Sequence, residues 1–400
     1  MKYFLIVPDG MADHPLNELG GKTPVDAAET PNLDSVVADG LLGLAHTTCS
    51  RHKPGSDVAT MCLLGYNPDE YYTGRAPLEA ANMGIDLGPD DLAVRCNLIT
   101  ADEETLIDYS GGSVPSEDAH QLMKAVSEEL GTSELEFFAG VSYRNILVMH
   151  GAGAIDHQTN APHDVMGQKL ADVFPTGERS EQFIDLMKRS REILSQHPVN
   201  QKRESEGLPQ ANMIWLWGTG LKPTMPTFQD RFGRSGAVIA AVDLIKGIGR
   251  VLGWDIIEVE GATGYIDTNY EGKAEAGIKA IEDHDFVFVH VEAPDEAGHA
   301  GDIEEKVQAI QNIDRFVIGP VREALREYPD HRLLILPDHP TPIAIRTHVK
   351  EPIPFAISGK GITHTGPETY SEANARQSTL KLDRGYELMS LFLDLEGLEA

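Results

Sequence analysis

Three places in the sequence set hard metal ligands directly after an apolar run. Asp9 follows FLIVP; Asp295 and His299 lie in APDEAGH after FVFVHVE; Asp338 and His339 follow LLILP, with His348 nine residues beyond. An Asp after a strand is ordinarily a turn or cap residue, so none of these speaks alone. A D-x3-H pair and a D-H pair at two successive strand ends are a rarer coincidence. Residues four apart share one side of a helical turn, so Asp295 and His299 can hold one cation together. Mixed carboxylate and imidazole ligands suit Mn2+ or Zn2+ better than Ca2+. Two dications about 4 Å apart repel by roughly 16 kcal/mol at an effective dielectric of 20, four times the unit-charge value. Asp9, Asp295 and Asp338 bring three negative charges against that repulsion, and a bound phosphate would bring more.

The loop RHKPGSDVATMCLLG, residues 51–65, supplies a nucleophile. Ser56 follows Pro54-Gly55 and opens a predicted helix, where free amide N–H groups and the positive dipole end favour an anion. A cation beside that hydroxyl would promote its ionisation and make it reactive at neutral pH. A plain N-cap serine is the alternative for an isolated Ser here. The neighbouring metal ligands favour the nucleophile.

These residues must be carried by strands whose carboxyl ends converge, since ligands in open α/β sheets gather there. Short apolar runs at Tyr3–Val7, Met213–Trp217, Asp255–Val259, Phe286–Val291, Leu333–Leu336 and Pro354–Ser358 read as buried parallel strands. Helical periodicity falls between and after them at Gly236–Leu252, Tyr270–Asp283, Ile303–Tyr328 and Tyr386–Leu395. The alternation predicts an α/β sandwich with a mostly parallel sheet. Residues 82–211 look different, with strands predicted around Leu92–Thr100, Thr105–Tyr109 and Val141–His150 and helices around Ser116–Leu130 and Arg179–Gln196. That is a smaller α+β unit inserted into a core formed by 1–81 and 212–400. His197–Asn212 reads as a polar linker or exposed loop.

Length and composition agree. Four hundred residues suit two domains, or one core with an insertion. Against 33 Lys+Arg stand 63 Asp+Glu, a net charge of −30 that repels nucleic acid and anionic lipid. Cys49, Cys62 and Cys96 form no CxxC pair, which points away from a disulfide framework or thiolate zinc site and towards a reducing cytoplasm. The opening MKYFLIVPDG is too short an apolar run for a signal peptide, and no stretch approaches the roughly 18 apolar residues of a membrane span.

Taken with their order and spacing, the segments VPDGMAD, PGSDVATMCLLGYNP, YYTGRAPLEA, VRCNL, SYRNILV, GATGYIDTNYEGKAEA, HVEAPDEAGHAGD and LPDHPTP resemble the archaeal-type cofactor-independent phosphoglycerate mutases. These belong to the alkaline phosphatase superfamily of two-metal phosphotransfer enzymes, and the similarity runs over essentially the whole chain. The resemblance implies an alkaline-phosphatase-like three-layer core and an inserted domain that closes over substrate. It implies that Asp9, Ser56, Asp338 and His339 surround one metal and Asp295, His299 and His348 the other. Ser56 matches the serine phosphorylated during turnover. Mn2+ is the implied metal, with Zn2+, Co2+ or Mg2+ as others, and no bisphosphoglycerate is needed. The implied substrate is a small phosphorylated molecule, 3-phosphoglycerate, isomerised to 2-phosphoglycerate in glycolysis and gluconeogenesis.

Holding glycerate between two transfers requires cations. Arg144 within the apolar run SYRNILVMH needs a partner and is the first candidate; Arg95 in VRCNL is a second and Lys246 a third. His163 and Asp164 in NAPHDVMG can shuttle a proton between glycerate hydroxyls. The family commonly places Ala-Gly and then Arg or His after the hairpin near Asp108, where this chain has Gly112 and Ser113. Competing readings are a metal-dependent phosphatase, a kinase acting on a substrate such as homoserine, and a metal-binding protein without catalysis. No G-x-x-x-x-G-K-[ST] loop, complete GxGxxG or GxSxG is present, which argues against a P-loop kinase, a dinucleotide enzyme or an α/β-hydrolase.

Overall fold

The computed structural model describes residues 1–364 and 366–394. The chain divides into two compact units, Met1–Tyr72 with Met225–Ala400, and Thr73–Thr224. The second unit thus extends beyond residues 82–211 at both ends.

The first unit holds an eight-stranded sheet in the order Asp255–Ile256, Gly236–Ile239, Phe286–Val291, Lys2–Pro8, His331–Ile335, Ile353–Gly359, Gly40–Ala45 and Lys381–Leu382. Five pairings are parallel and two antiparallel, so the sheet is mostly parallel. Its central strands are apolar on both faces: Phe4 to Val7 and Phe286 to Val289 are all essentially inaccessible to solvent. A strand covered on both sides has no polar face to show, which is why it reads as a continuous apolar run.

Two predicted elements are corrected here, and one strand was missed. Pro354–Ser358 is a strand, within Ile353–Gly359, but it runs antiparallel to both neighbours. Gly236–Leu252 is not one helix: Gly236–Ile239 is a strand and Asp243–Val251 the helix. The sequence GAVIAAVDLIKGIGRV opens with seven residues that carry no polar side chain and no break, so the helical period of its second half masks the strand in its first. Gly40–Ala45 is a sheet strand that the sequence reading passed over. The terminal helix is Leu388–Leu393, and Leu395, the predicted end, lies outside the described residues.

The second unit is a five-stranded antiparallel sheet. Leu92–Ala101 pairs with Arg144–Met149, with Leu106–Asp108 and with Met213–Leu221, and Arg144–Met149 pairs with Leu135–Phe138. Helices Ser116–Leu130 and Ser180–Ser195 bury Leu122, Val126, Phe183 and Met187 in its core. Met213–Trp217, predicted as a parallel core strand, therefore belongs to this antiparallel sheet. The predicted loop 197–212 is also corrected, because it contains the helix Pro198–Ser205. Its anchors are polar: Asn200 bonds the Leu194 and Ala211 carbonyls at 2.9 Å each, and Arg203 reaches the Pro209 and Gly111 carbonyls at 2.9 Å. A helix seated by side-chain bonds to backbone shows no apolar stripe for periodicity to find.

Candidate functional site

Five of the seven metal-ligand candidates sit where a first-unit strand ends. Asp9 follows Lys2–Pro8, Asp338 and His339 follow His331–Ile335, and Asp295 with His299 occupy the helix Ala293–Ala300 that follows Phe286–Val291. That helix begins with Pro near its N-terminus and ends at Gly301 in the left-handed region, so its eight residues place Asp295 in the first turn and His299 in the last. Gly10 has φ +61°, and a Cβ there would stand 2.5 Å from Asp295 Oδ1. The turn after Asp9 therefore has room for no side chain.

Two ligand sets form within 4.8 Å: Asp9, Asp338 and His339, and separately Asp295, His299 and His348. Ser56 Oγ lies 3.4 Å from Asp9 Oδ2 and 3.2 Å from His339 Nε2. It starts the helix Ser56–Leu63. All seven residues that the sequence singled out as metal ligands thus come together. The two sets are linked through Thr341, whose hydroxyl donates to Asp295 Oδ1 and lies 3.2 Å from His339 Nδ1.

Hydrogen bonds fix which ring nitrogens face inward. His299 Nδ1 meets the Arg346 carbonyl at 3.1 Å, and His348 Nδ1 meets the Pro54 carbonyl at 3.3 Å. A carbonyl only accepts, so both Nδ1 atoms carry the proton. The Thr341 hydroxyl spends its proton on Asp295, so His339 Nδ1 donates to it and His339 Nε2 keeps its lone pair. Nε2 of His299 and Nε2 of His348 then face each other at 2.9 Å. Two neutral imidazoles cannot sit lone pair to lone pair without a proton or cation between them.

The carboxylates make the same demand. Asp338 Oδ1 accepts from the Gly10 and His339 amides at 3.2 and 2.9 Å, while buried Asp338 Oδ2 and Asp9 Oδ1 have no hydrogen-bond partner among the described residues. Burial, then the charges of Asp338 and Asp295, push the Asp9 carboxyl well above its usual range. His299 rises to about 9, first through its hydrogen bond with Asp295. Burial works to raise Asp295 too, but the hydrogen bonds from His299 and His348 outweigh it and hold Asp295 low. Burial lowers His339, keeping that ring neutral. Orphaned oxygens, inward lone pairs and a N/O donor set fit divalent cations of the Mn2+ and Zn2+ kind.

His290, Glu292 and Lys273 were not anticipated. His290 is fully buried with Nε2 3.4 Å from Asp9 Oδ2 and Nδ1 3.5 Å from Glu292 Oε1; Lys273 Nζ lies 3.7 Å from Glu292 Oε2. The signal for His290 and Glu292 was present in FVFVHVE, a His and a Glu two apart in an otherwise apolar run.

The other predicted residues fall elsewhere. In the second unit Arg95 Nε bonds Glu79 Oε2 at 2.7 Å, its guanidinium lies 4.1 Å from the Trp217 ring centre, and Arg75 Nε bonds Glu79 Oε1 at 3.0 Å. The charge of Arg144 also acts on Glu79, and the buried Arg144 Nε has no hydrogen-bond partner among the described residues. Three guanidinium groups around one carboxylate leave a surplus of positive charge. Arg75 was missed, although it stands in the quoted segment YYTGRAPLEA. The His163 ring packs edge-on against Tyr109 and Trp217, and its Nε2 is 3.6 Å from Asp164 Oδ1. Lys246, in the first unit, is paired with Glu258 at 2.6 Å.

A mostly parallel α/β sheet whose strand ends gather a serine and two carboxylate–imidazole sets places the chain among metal-dependent phosphoryl-transfer enzymes. More narrowly, the chain belongs to the 2,3-bisphosphoglycerate-independent phosphoglycerate mutase family, whose model matches residues 38–200. A Methanothermobacter thermautotrophicus protein named 2,3-bisphosphoglycerate-independent phosphoglycerate mutase 2 is 48% identical over 395 residues, 98% of each chain. A Geobacter sulfurreducens protein named as a probable enzyme of the same kind is 45% identical over 399 residues, 98% of this chain and all of its own. The solved cofactor-independent phosphoglycerate mutase of Thermoplasma acidophilum is 28% identical with a TM-score of 0.67, covering 99% of this chain and 100% of its own. No helix among the described residues is long and apolar enough to cross a membrane.

Proposed function

We propose that the chain interconverts 3-phosphoglycerate and 2-phosphoglycerate without bisphosphoglycerate, through transient phosphorylation of Ser56, with Mn2+ as the metal and the cytoplasm as its compartment. The observation that carries this is Ser56 Oγ at a helix N-terminus, 3.4 Å from Asp9 Oδ2 and 3.2 Å from His339 Nε2. Asp9, Asp338 and His339 would hold one divalent cation beside Ser56, and Asp295, His299 and His348 the other. When bound, the cations offset charge on the entering, transferring and leaving oxygens.

The Ser56 hydroxyl points its proton at Asp9 Oδ2, the nearest carboxylate oxygen, which takes it as Oγ attacks phosphorus. The P–O bond to glycerate breaks and the leaving oxygen takes a proton from the His163–Asp164 pair, leaving phosphoserine and a glycerate hydroxyl. Return of the phosphate to the other hydroxyl completes the isomerisation, so a mutase must keep glycerate and exclude water between the two transfers. Arg144, Arg95 and the unanticipated Arg75 are assigned to the substrate's anionic groups, because their surplus charge and the open Arg144 Nε suit a carboxylate or phosphate. His163 and Asp164 are assigned to proton movement between the hydroxyls. Lys246 is left out of the set, since its pairing with Glu258 is one to one and leaves no surplus charge.

An enolase-coupled assay of purified protein with 3-phosphoglycerate and Mn2+, lacking bisphosphoglycerate and ATP, tests the reading. Phosphoenolpyruvate formed without release of inorganic phosphate supports it. Phosphate release as fast as isomer formation would make the protein a phosphatase, and turnover of homoserine only with ATP would make it a kinase.

A further inference from the structure

We propose that Cys49 and Cys62 are a thiol modification site at which a low-molecular-weight disulfide closes an intramolecular bridge and reversibly stops turnover. Their sulfurs lie 4.0 Å apart across 13 residues of chain, and that span contains Ser56. Cys62 is buried in the helix Ser56–Leu63, whereas Cys49 is partly exposed on a segment, residues 46–55, with no helix or strand. One thiol is therefore open to a reagent, and the other waits behind it.

The chemistry balances with that one reagent. The Cys49 thiolate attacks a sulfur of the small disulfide, the S–S bond breaks and a first small thiol leaves. Cys62 then attacks the Cys49 sulfur, breaks the mixed disulfide and expels a second. Two protein thiols are oxidised, one small disulfide is reduced, and the two protons end on the released thiols. Cys49 has the character of the attacking group: the hydrogen bond from Cys62, working against burial, lowers its thiol to about 6.

An S–S bond of about 2.05 Å requires the sulfurs to approach by about 2 Å. The helix is packed, so the irregular segment must move, and it is tied to the metal ligands on both sides of Cys49. Before it, the Thr47 hydroxyl donates to the Asp338 carbonyl; after it, the Pro54 carbonyl accepts from His348 Nδ1 at 3.3 Å. Drawing Cys49 inward pulls on both ligand sets and on Ser56, and a misplacement of about 1 Å can cost on the order of 100-fold in rate.

The test uses the metal-loaded full chain and excess oxidised glutathione. Intact mass should fall by two hydrogens, peptide mapping should join Cys49 to Cys62, and activity should drop at least tenfold and return with dithiothreitol. Cys49→Ser and Cys62→Ala should each keep basal activity and lose the sensitivity, while Cys96→Ala stays sensitive. A mixed disulfide that never resolves, a bridge that leaves activity unchanged, or inhibition of Cys49→Ser equal to wild type overturns the proposal. The mass and mapping readouts do not depend on the assigned reaction, so failure of that assignment is told apart from failure here.

Discussion

The first unit gathers carboxylates and imidazoles, and the second gathers guanidinium groups, yet the two clusters bury charge in opposite ways. Glu79 satisfies Arg75 and Arg95 internally, at 3.0 and 2.7 Å; burial works to raise its carboxyl, but those two positive charges outweigh it and hold Glu79 below its ordinary range. The ligand cluster is satisfied only in part: Asp295 is held by His299 and His348, but among the described residues Asp9 Oδ1 and Asp338 Oδ2 are buried without a hydrogen bond, and His299 and His348 point Nε2 at each other. One cluster is complete by itself and has charge to lend. The other is complete only with cations, so metal should act on its stability as well as on its chemistry.

The sharpest break between the two is Ser56→Ala. It removes the proposed nucleophile and leaves the six other proposed ligands, so turnover should vanish, a loss of at least about 10³-fold, while metal analysis still finds two ions per chain. Full mutase activity in that variant would end the phosphoserine mechanism. Next is His299→Ala. It should lower the metal content from about two to about one and remove most activity, because the remaining carboxylate and single imidazole no longer close that set. Unchanged stoichiometry would exclude His299 as a ligand.

Arg144→Ala should act only on the other side of the comparison. Losing one charge-assisted contact worth about 1.5–3 kcal/mol should lower kcat/KM by about 10- to 150-fold with both metals retained. Arg95→Ala is the wrong probe, since it breaks the buried Arg95–Glu79 pair as well as any substrate contact and should destabilise the unit by about 3–5 kcal/mol. If Arg144→Ala leaves kcat/KM unchanged, the surplus charge around Glu79 serves structure alone.

The sequence showed the first cluster far better than the second, for a physical reason. Metal ligands stand at strand ends after apolar runs, and Asp295 with His299 carry a helical spacing that survives in the linear text. Thr341, which joins the two ligand sets, and His290, beside Asp9, act through contacts that no spacing encodes. Arg95 and Arg144 were visible as charges inside strands, but their common partner Glu79 sits 16 residues from Arg95 in a different element. The misread elements share this cause. Met213–Leu221 looks like any buried strand until its antiparallel partner Leu92–Ala101 is known, and Pro198–Ser205 is held by Asn200 and Arg203 rather than by an apolar face.

pH separates the clusters more gently. In metal-free protein His299 is raised from 6.5 to about 9, chiefly by Asp295. A raised histidine stabilises the fold fully below its unfolded value and loses that contribution as pH climbs through its folded one. Metal-free protein should therefore lose thermal stability between about pH 6.5 and 9 relative to the metal-loaded form, in which the cation takes the proton's place. Parallel melting curves for the two forms across that range would remove His299 protonation from the account.

The smallest effect belongs to Lys246→Ala. Lys246 lies in the helix Asp243–Val251, and its Nζ is 2.6 Å from Glu258 Oε2, on a residue that is largely exposed. Such a pair is worth about 0–1 kcal/mol, so stability should shift by less than that and kcat/KM should stay within about twofold of wild type. A lysine that bound phosphate would give a different result, a tenfold or greater loss in kcat/KM relative to wild type that adding salt narrows. That outcome would return Lys246 to the substrate groups and show that the first unit, too, lends positive charge, which would erase the division of labour between the clusters.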